Sequence, residues 1–276
     1  MQNCDKNDPV VPLFSEMGGA DRTELPVAVM DSGVGGLCVL REIRRVLPRE
    51  ELLYFGDGAF APYGEREEEA LTAHILAVAE RLLRESKALV IACNTATALA
   101  AKTLRERYPD VPIVGMEPAL KPALEVCAHP RILVLATAIT LREKKFAALL
   151  QKCEKNATVL RIAAPGIVEL LEAGRQNTPE MQAYLTALLA PYRDAAVDAV
   201  VLGCTHFPFV KEKILQALGS EVPIFDGVQG TARQLSRVLA QRALCNPSPT
   251  RGAVRLTSSR QGVLPAYARL LFGYEN

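Results

Sequence analysis

The sequence predicts an α/β protein built from two similar halves, each a mainly parallel sheet covered by helices, and two observations carry that prediction. From Pro26 onward, short β-rich apolar runs alternate with longer stretches of helical periodicity, the pattern of helices packed on a parallel sheet. Part of that pattern then recurs. Ala88-Leu-Val-Ile-Ala-Cys93-Asn-Thr aligns with Ala199-Val-Val-Leu-Gly-Cys204-Thr-His at an offset of 111, and Val111-Pro-Ile113 aligns with Val222-Pro-Ile224 at the same offset. One shared register for both matches reads as a structural repeat. At 276 residues, 49% hydrophobic and 23% charged with a net charge of +1, the chain has the profile of a globular protein and the length for two cores.

Strands are expected at 27–30, 51–55, 88–92 and 111–114 in the first half, and at 131–136, 157–162, 198–202 and 222–225 in the second. Each is a mainly apolar run of the length a buried strand needs. Helices are expected at 37–47, 65–86, 94–107, 141–154, 179–193 and 207–218, where apolar residues keep helical spacing and several ends fall just before Pro or Gly. Residues 1–25 lie outside this pattern. Five acids in the first 24 residues (Asp5, Asp8, Glu16, Asp21, Glu24) face only Lys6 and Arg22, without the basic start and apolar core of a signal peptide, so the segment reads as a mobile extension. The longest apolar runs fall far short of the roughly 18 residues of a membrane span.

Seven cysteines, at 4, 38, 93, 127, 153, 204 and 245, form no C-x-x-C pair, which argues against a disulfide framework or a zinc knuckle. Reduced thiols in a cytoplasm are expected, with no metal site. Two of the seven stand apart. Cys93 and Cys204 end equivalent strands, where open parallel sheets bind their ligands, and small or polar residues suited to a helix start follow each. Facing each other across a cleft, one thiolate removes a proton from a carbon while the opposite thiol donates one to the other face, which inverts configuration. A free thiol titrates at about 8.5, so a helix terminus and neighbouring charges need lower it only modestly to give a base near neutrality. No lysine lies within either cysteine motif to suggest a Schiff-base cofactor, so cofactor-free chemistry is expected.

Three further strand ends complete the set. Met30-Asp31-Ser-Gly-Val-Gly-Gly36 offers glycines that let backbone amides approach an anionic ligand, which Asp31 or Ser32 would orient. Tyr54-Phe-Gly-Asp57 leads into Ala61-Pro-Tyr-Gly64, and Leu135-Ala-Thr137-Ala-Ile-Thr140 follows the strand that opens the second half. Residues 227–276 carry seven arginines, no lysine and one acid, a local charge of +6. Their irregular spacing, without a nucleic-acid motif, reads as a solvated surface rather than a nucleic-acid site.

Asp31-Ser-Gly-Val-Gly-Gly, Phe55-Gly-Asp with Pro62-Tyr-Gly, Cys93-Asn-Thr-Ala and Gly203-Cys-Thr-His-Phe-Pro, in this order and spacing, resemble the glutamate racemases of the aspartate/glutamate racemase superfamily over residues 26–245. The resemblance implies a cofactor-independent enzyme that interconverts L- and D-glutamate and supplies D-glutamate for peptidoglycan. Cys93 would take the Cα proton from D-glutamate and Cys204 from L-glutamate, each serving as the acid in the reverse direction. Asp31 would support Cys93; His206 would support Cys204 together with Glu172, or with Glu169 as the close alternative. Ser32, Tyr63, Gly64, Asn94, Thr95 and Thr205 would hold the amino acid, joined by Thr137 or Thr140. The resemblance further implies a homodimer, a first domain of residues 26–115 plus 226–276, a second of residues 116–225, and an active site in the cleft between pseudo-two-fold-related halves. Gly58-Ala-Phe-Ala61 departs from the Thr-Ala-Arg-Val type of sequence usual after Phe-Gly-Asp, which puts that loop's shape in question. Two rival readings keep the same cleft: a racemase for another amino acid such as aspartate, and a noncatalytic binder that uses the basic C-terminal stretch.

Overall fold

The strands pair into two fully parallel sheets with one connectivity used twice. In this computed structural model, which describes residues 22–272 (residue 145 by its backbone alone), the elements run β1 Val27–Asp31, α1 Leu37–Val46, β2 Leu52–Gly56, α2 Glu68–Leu83, β3 Ala88–Ile91, α3 Asn94–Arg107 and β4 Ile113–Gly115. The chain continues through α4 Leu120–Ala123, β5 Arg131–Ala136, α5 Ala138–Arg142, α6 Lys144–Cys153, β6 Thr158–Ala163, α7 Pro165–Glu172, α8 Pro179–Leu189 and β7 Ala199–Gly203. It closes with α9 Lys211–Leu218, β8 Ile224–Asp226, α10 Val228–Gln241, β9 Val254–Ser258 and α11 Leu264–Phe272. The first sheet has the order β4-β3-β1-β2-β9 and the second β6-β5-β7-β8. Written from the other edge, the second is β8-β7-β5-β6, the order of the first sheet without β9. Cys93 and Cys204 therefore follow equivalent strands, as the 111-residue offset requires.

Both faces of each sheet are covered, and the period of two along the strands sorts the core into layers. Val27 and Val29 belong to the largest apolar cluster, which also holds Leu133, Leu135, Val200 and Leu202 of the second sheet and so joins the halves. Ala28 and Met30 point to the opposite face, against α2 and α3. Ile132, Val134, Ala199 and Val201 pack beneath α6 on the outer face of the second sheet. Each fully buried Val, Leu or Ile contributes roughly 1.5–3 kcal/mol relative to exposure, which is what overrides the modest helix and strand propensities of these Ala-rich runs.

Several helices differ from expectation for local reasons. The stretch expected at 179–193 ends as an α-helix at Leu189 and continues as a short 3-10 turn over Ala190–Tyr192, because Pro191 brings no N–H to the helical ladder. Pro208 likewise makes Phe207–Val210 a 3-10 turn before α9. The expected 141–154 helix is two helices; the first begins at Ala138, where the Thr137 hydroxyl accepts the Thr140 N–H. The expected 65–86 helix starts at Glu68, where the Glu67 carboxylate accepts the amides of Glu69 and Ala70. The basic C-terminal stretch is not merely a solvated surface. α10 buries Thr231, Ala232, Leu235 and Leu239, β9 pairs in parallel with β2, and α11 buries Tyr267 and Leu271. Of the expected N-terminal extension, residues 1–21 lie outside the described residues. Residues 22–25 form a turn that accepts a hydrogen bond from Lys87 Nζ at the carbonyl of Thr23. Among the described residues no helix is long and apolar enough to cross a membrane.

Candidate active site

The carboxyl ends of β1, β3, β5 and β7 meet between the sheets, and the residues that follow these strands build one buried site. β1 pairs with β2 and β3 in a register that sets Asp31 opposite Gly56 and Met30 opposite Ile91; β5 pairs with β7 so that Ala136 faces Gly203. Cys93, two residues beyond β3, and Cys204, one beyond β7, are thereby brought to a common small cavity. Ser32, Tyr63, Gly64, Asn94, Thr95, Thr137, Val168, Gly203 and His206 complete its walls. Both thiols are buried, Cys93 at 5% and Cys204 at 7% exposure.

The two sulfurs have different surroundings. Cys93 is the N-cap of α3, and its Sγ accepts the Ala96 N–H at 3.5 Å. Contrary to the expectation that a helix terminus lowers this thiol toward neutrality, its pKa is pushed up to about 12. Burial is the main cause and the Asp31 carboxylate the next, with Cys204 adding to them, while the Ala96 N–H and the Ser32 hydroxyl pull only partly back. Cys204 does not cap an α-helix. Its Sγ lies 3.8 Å from His206 Nδ1, and His206 Nε2 lies 2.6 Å from Glu172 Oε1. Burial alone would lower the pKa of His206, but hydrogen bonds and charge from Cys204 and Glu172 outweigh it and raise it well above the usual value. Burial likewise works against the Glu172 carboxylate, yet His206, the Val34 N–H and the Arg260 charge lower its pKa overall.

The glycine loop after β1 joins the halves. Val34 N donates to Glu172 Oε1 at 2.8 Å, so the anion at this loop's amides is a carboxylate of the other half. A Cβ on Gly33 would sit 1.8 Å from that same oxygen, and one on Gly35 would sit 2.5 Å from His206 Nδ1. Glycine is required at both positions by close approach. Asp31 is fully buried; Oδ2 accepts the Gly33 N–H at 3.0 Å and Oδ1 the Thr205 hydroxyl at 2.9 Å. Burial raises its pKa, partly offset by the His206 charge and these donors. Tyr54 Oη donates to the Gly33 carbonyl at 2.6 Å and fixes the loop from below.

Across the cavity, Thr95 Oγ1 and Thr137 Oγ1 meet at 2.9 Å, and Thr137 Oγ1 lies 2.9 Å from Thr140 Oγ1. Asn94 is 4% exposed, and neither its side-chain oxygen nor its nitrogen has a partner among the described residues. A buried amide left open in a polar cavity costs about 1–3 kcal/mol, a cost that a ligand's polar groups would remove. Of the residues singled out from sequence, Asp31, Glu172, Thr140 and Thr205 do not line the cavity but stand behind those that do. Glu169 is exposed on α7 beside the Glu65 carboxylate, whose pKa burial and the Glu169 charge raise, while Glu172 makes the contact to His206. Sequence reasoning missed Tyr54 as a loop anchor, Val168 as a wall and Arg260, whose Nη1 donates to the Glu172 carbonyl at 3.4 Å. Val168 sits at the helical spacing of α7, which the Pro at its first position could have announced.

A two-repeat α/β fold with paired cysteines at the ends of equivalent strands defines a class of protein with one site shared by two halves. Residues 37–235 match the family model described as Asp/Glu/Hydantoin racemase, and the chain belongs to that family. It is 49% identical over 219 residues to a glutamate racemase of Pseudomonas aeruginosa, a match covering 79% of this chain and 83% of that protein. The fold is similar to that of Thermus thermophilus glutamate racemase in complex with β-chloro-D-alanine, with a TM-score of 0.75 and 33% identity over 93% of this chain and 95% of that one. It is also similar to Escherichia coli glutamate racemase in complex with L-glutamate and the activator UDP-MurNAc-Ala, with a TM-score of 0.77 and 29% identity over 91% and 94% of the two chains.

Proposed function

We propose that this protein is a glutamate racemase that works with two cysteines and no cofactor. The observation that carries the reading is the placement of Cys93 and Cys204 on one buried cavity, each from its own half and each with its own polar support. From L-glutamate, the Cys204 thiolate takes the Cα proton; the C–H electron pair moves into the α-carboxylate, and the Cys93 thiol returns a proton to the opposite face. From D-glutamate the roles exchange. Each turnover consumes one proton from one thiol and restores one on the other, so no outside reactant is needed.

The surroundings of Cys93 favour its role as the acid in the first direction. Burial and Asp31 keep Cys93 as a thiol, an acid, while the imidazolium of His206 at 3.8 Å is the counter-charge a thiolate on Cys204 needs. For the reverse direction the substrate's own α-ammonium, brought beside Cys93, offsets the raised pKa there. The Asn94 amide, the Thr95 and Thr137 hydroxyls and the backbone at Tyr63–Gly64 are the groups we assign to the carboxylates, whose charge grows as Cα is deprotonated. Glutamate, rather than aspartate, is supported by the relatives, which are named glutamate racemases, one of them in complex with L-glutamate. We assign residues 26–115 and 226–276 to the first domain and 116–225 to the second, a division supported by β9 completing the first sheet. The six described cysteines are all free, which supports a cytoplasmic setting. A homodimer and a supply of D-glutamate to peptidoglycan complete the reading.

Circular dichroism with purified protein and no added cofactor tests it. Either glutamate enantiomer should lose its signal, while aspartate turns over far more slowly. Cys93→Ser and Cys204→Ser should each cut the rate by at least about 10²–10⁴-fold, the usual worth of a general acid or base. Full activity in either variant would end the two-cysteine reading.

A further inference from the structure

The loop that departs from the family's usual sequence, residues 57–66, is held by a bracket that the racemisation chemistry does not use. Asp57 is 1% exposed, and its Oδ2 accepts two hydrogen bonds: from Tyr63 Oη at 2.6 Å and from His74 Nε2 of α2 at 2.5 Å. With Asp57 Oδ2 as the acceptor, His74 donates from Nε2. Phe60 stacks on the His74 ring with centroids 3.9 Å apart and planes 14° apart, and the Arg66 guanidinium lies 4.5 Å from the centroid of the Phe60 ring. Arg66 Nε also donates to the Phe60 carbonyl at 3.1 Å, closing the loop on itself.

The bracket ends at the cavity. Tyr63 and Gly64 line it beside both thiols, and Gly64 approaches Thr137 so closely that a Cβ would lie 2.9 Å from that residue's Cβ. Because the Tyr63 hydroxyl donates to Asp57, the segment offers the cavity its ring and backbone rather than a free phenol. The position of that backbone depends on where Asp57 holds the ring, and Asp57 Oδ2 is in turn held by His74. We infer that His74 is a positioning residue for the substrate-facing segment Pro62–Gly64, acting through the Asp57 carboxylate, with Phe60 as the lid that keeps its imidazole in place.

In its effect on turnover the inference rests on the glutamate racemase reading; in its effect on the loop it does not. His74→Phe keeps a ring for Phe60 to stack on and removes the hydrogen bond. His74→Gln places an amide N–H near the Nε2 position. His74→Asn carries the same amide too short to reach, and it stands in for the Phe variant should that one fail to fold. If His74 positions the segment, KM for both glutamate enantiomers rises about tenfold in the Phe and Asn variants, the effect of one charge-assisted hydrogen bond, with kcat within about twofold. The Gln variant stays within about twofold of wild type in both. Independently of turnover, iodoacetamide labelling of Cys93, followed by peptide mass spectrometry, should speed up about tenfold in the Phe and Asn variants and not in Gln. Unchanged labelling in Phe and Asn, or equal labelling in Gln and Phe, would overturn the inference. Wild-type protein that does not turn over glutamate would overturn the functional reading and leave the labelling comparison to decide this one.

Discussion

Cys93 and Cys204 share a cavity but not an electrostatic environment, and that asymmetry governs what single substitutions do. His206, buried, and Glu172, partly buried, form a pair with the Val34 amide and the Arg260 charge behind it. The folded pKa of Glu172 is depressed, so its contribution to stability is fully present above 4.5 and fades as the pH falls through the folded value. The folded pKa of His206 is raised, so its contribution is fully present below 6.5 and fades as the pH rises through the folded value. Both are therefore complete between 4.5 and 6.5. His206→Asn should flatten the alkaline limb of Tm against pH, every tenfold loss of proton affinity being worth about 1.4 kcal/mol, and an alkaline limb unchanged from wild type would contradict the assignment. The thiols and His206 were legible in the sequence because they sit in fixed motifs at strand ends. The direction in which the Cys93 pKa moves was not, since a helix terminus is visible in sequence while full burial beside Asp31 is a tertiary fact.

At the scale of elements, the glycine loop between β1 and α1 makes the second half's approach possible. Gly33→Ala would drive a methyl into the Glu172 carboxylate, where the contact would be 1.8 Å. We expect a loss of about 1–3 kcal/mol in urea unfolding, the cost of overpacking, and a larger fall in turnover as Glu172 leaves His206. The glycine motif signals a loop for an anion; that the anion is the protein's own carboxylate depends on α7, a helix too short to announce itself by periodicity. The strands and most helices were legible because buried parallel strands are continuous apolar runs. β9 and α11 were not: Val254-Arg-Leu-Thr-Ser258 has a charged residue in its interior, as an edge strand allows, and the arginines of this stretch signal charge instead of pairing. Leu235→Ala in α10 should cost about 2–5 kcal/mol, as in any packed core, whereas a solvated segment would lose almost nothing.

On the scale of the whole molecule, one connectivity used twice brings two thiols to one cavity, and the largest apolar cluster among the described residues runs through both halves. The cavity is small, about 10 Å³, so on the glutamate racemase reading proposed above the site has to widen to admit its substrate. Thiol labelling reads this directly. Exposed Cys127 and Cys245 should react with a maleimide quickly and Cys93 and Cys204 slowly, with D-glutamate slowing the buried pair further. Equal rates for all four would mean that the site stands open. The isotope content of each enantiomer in deuterated water tests the central claim, two acid–base groups on opposite faces of one carbon. Starting from L-glutamate and stopping early, the D-glutamate formed should carry deuterium at Cα while the recovered L-glutamate keeps its proton, and the mirror result should hold from D-glutamate. Deuterium appearing equally in substrate and product would show a single base reaching both faces and would contradict the account.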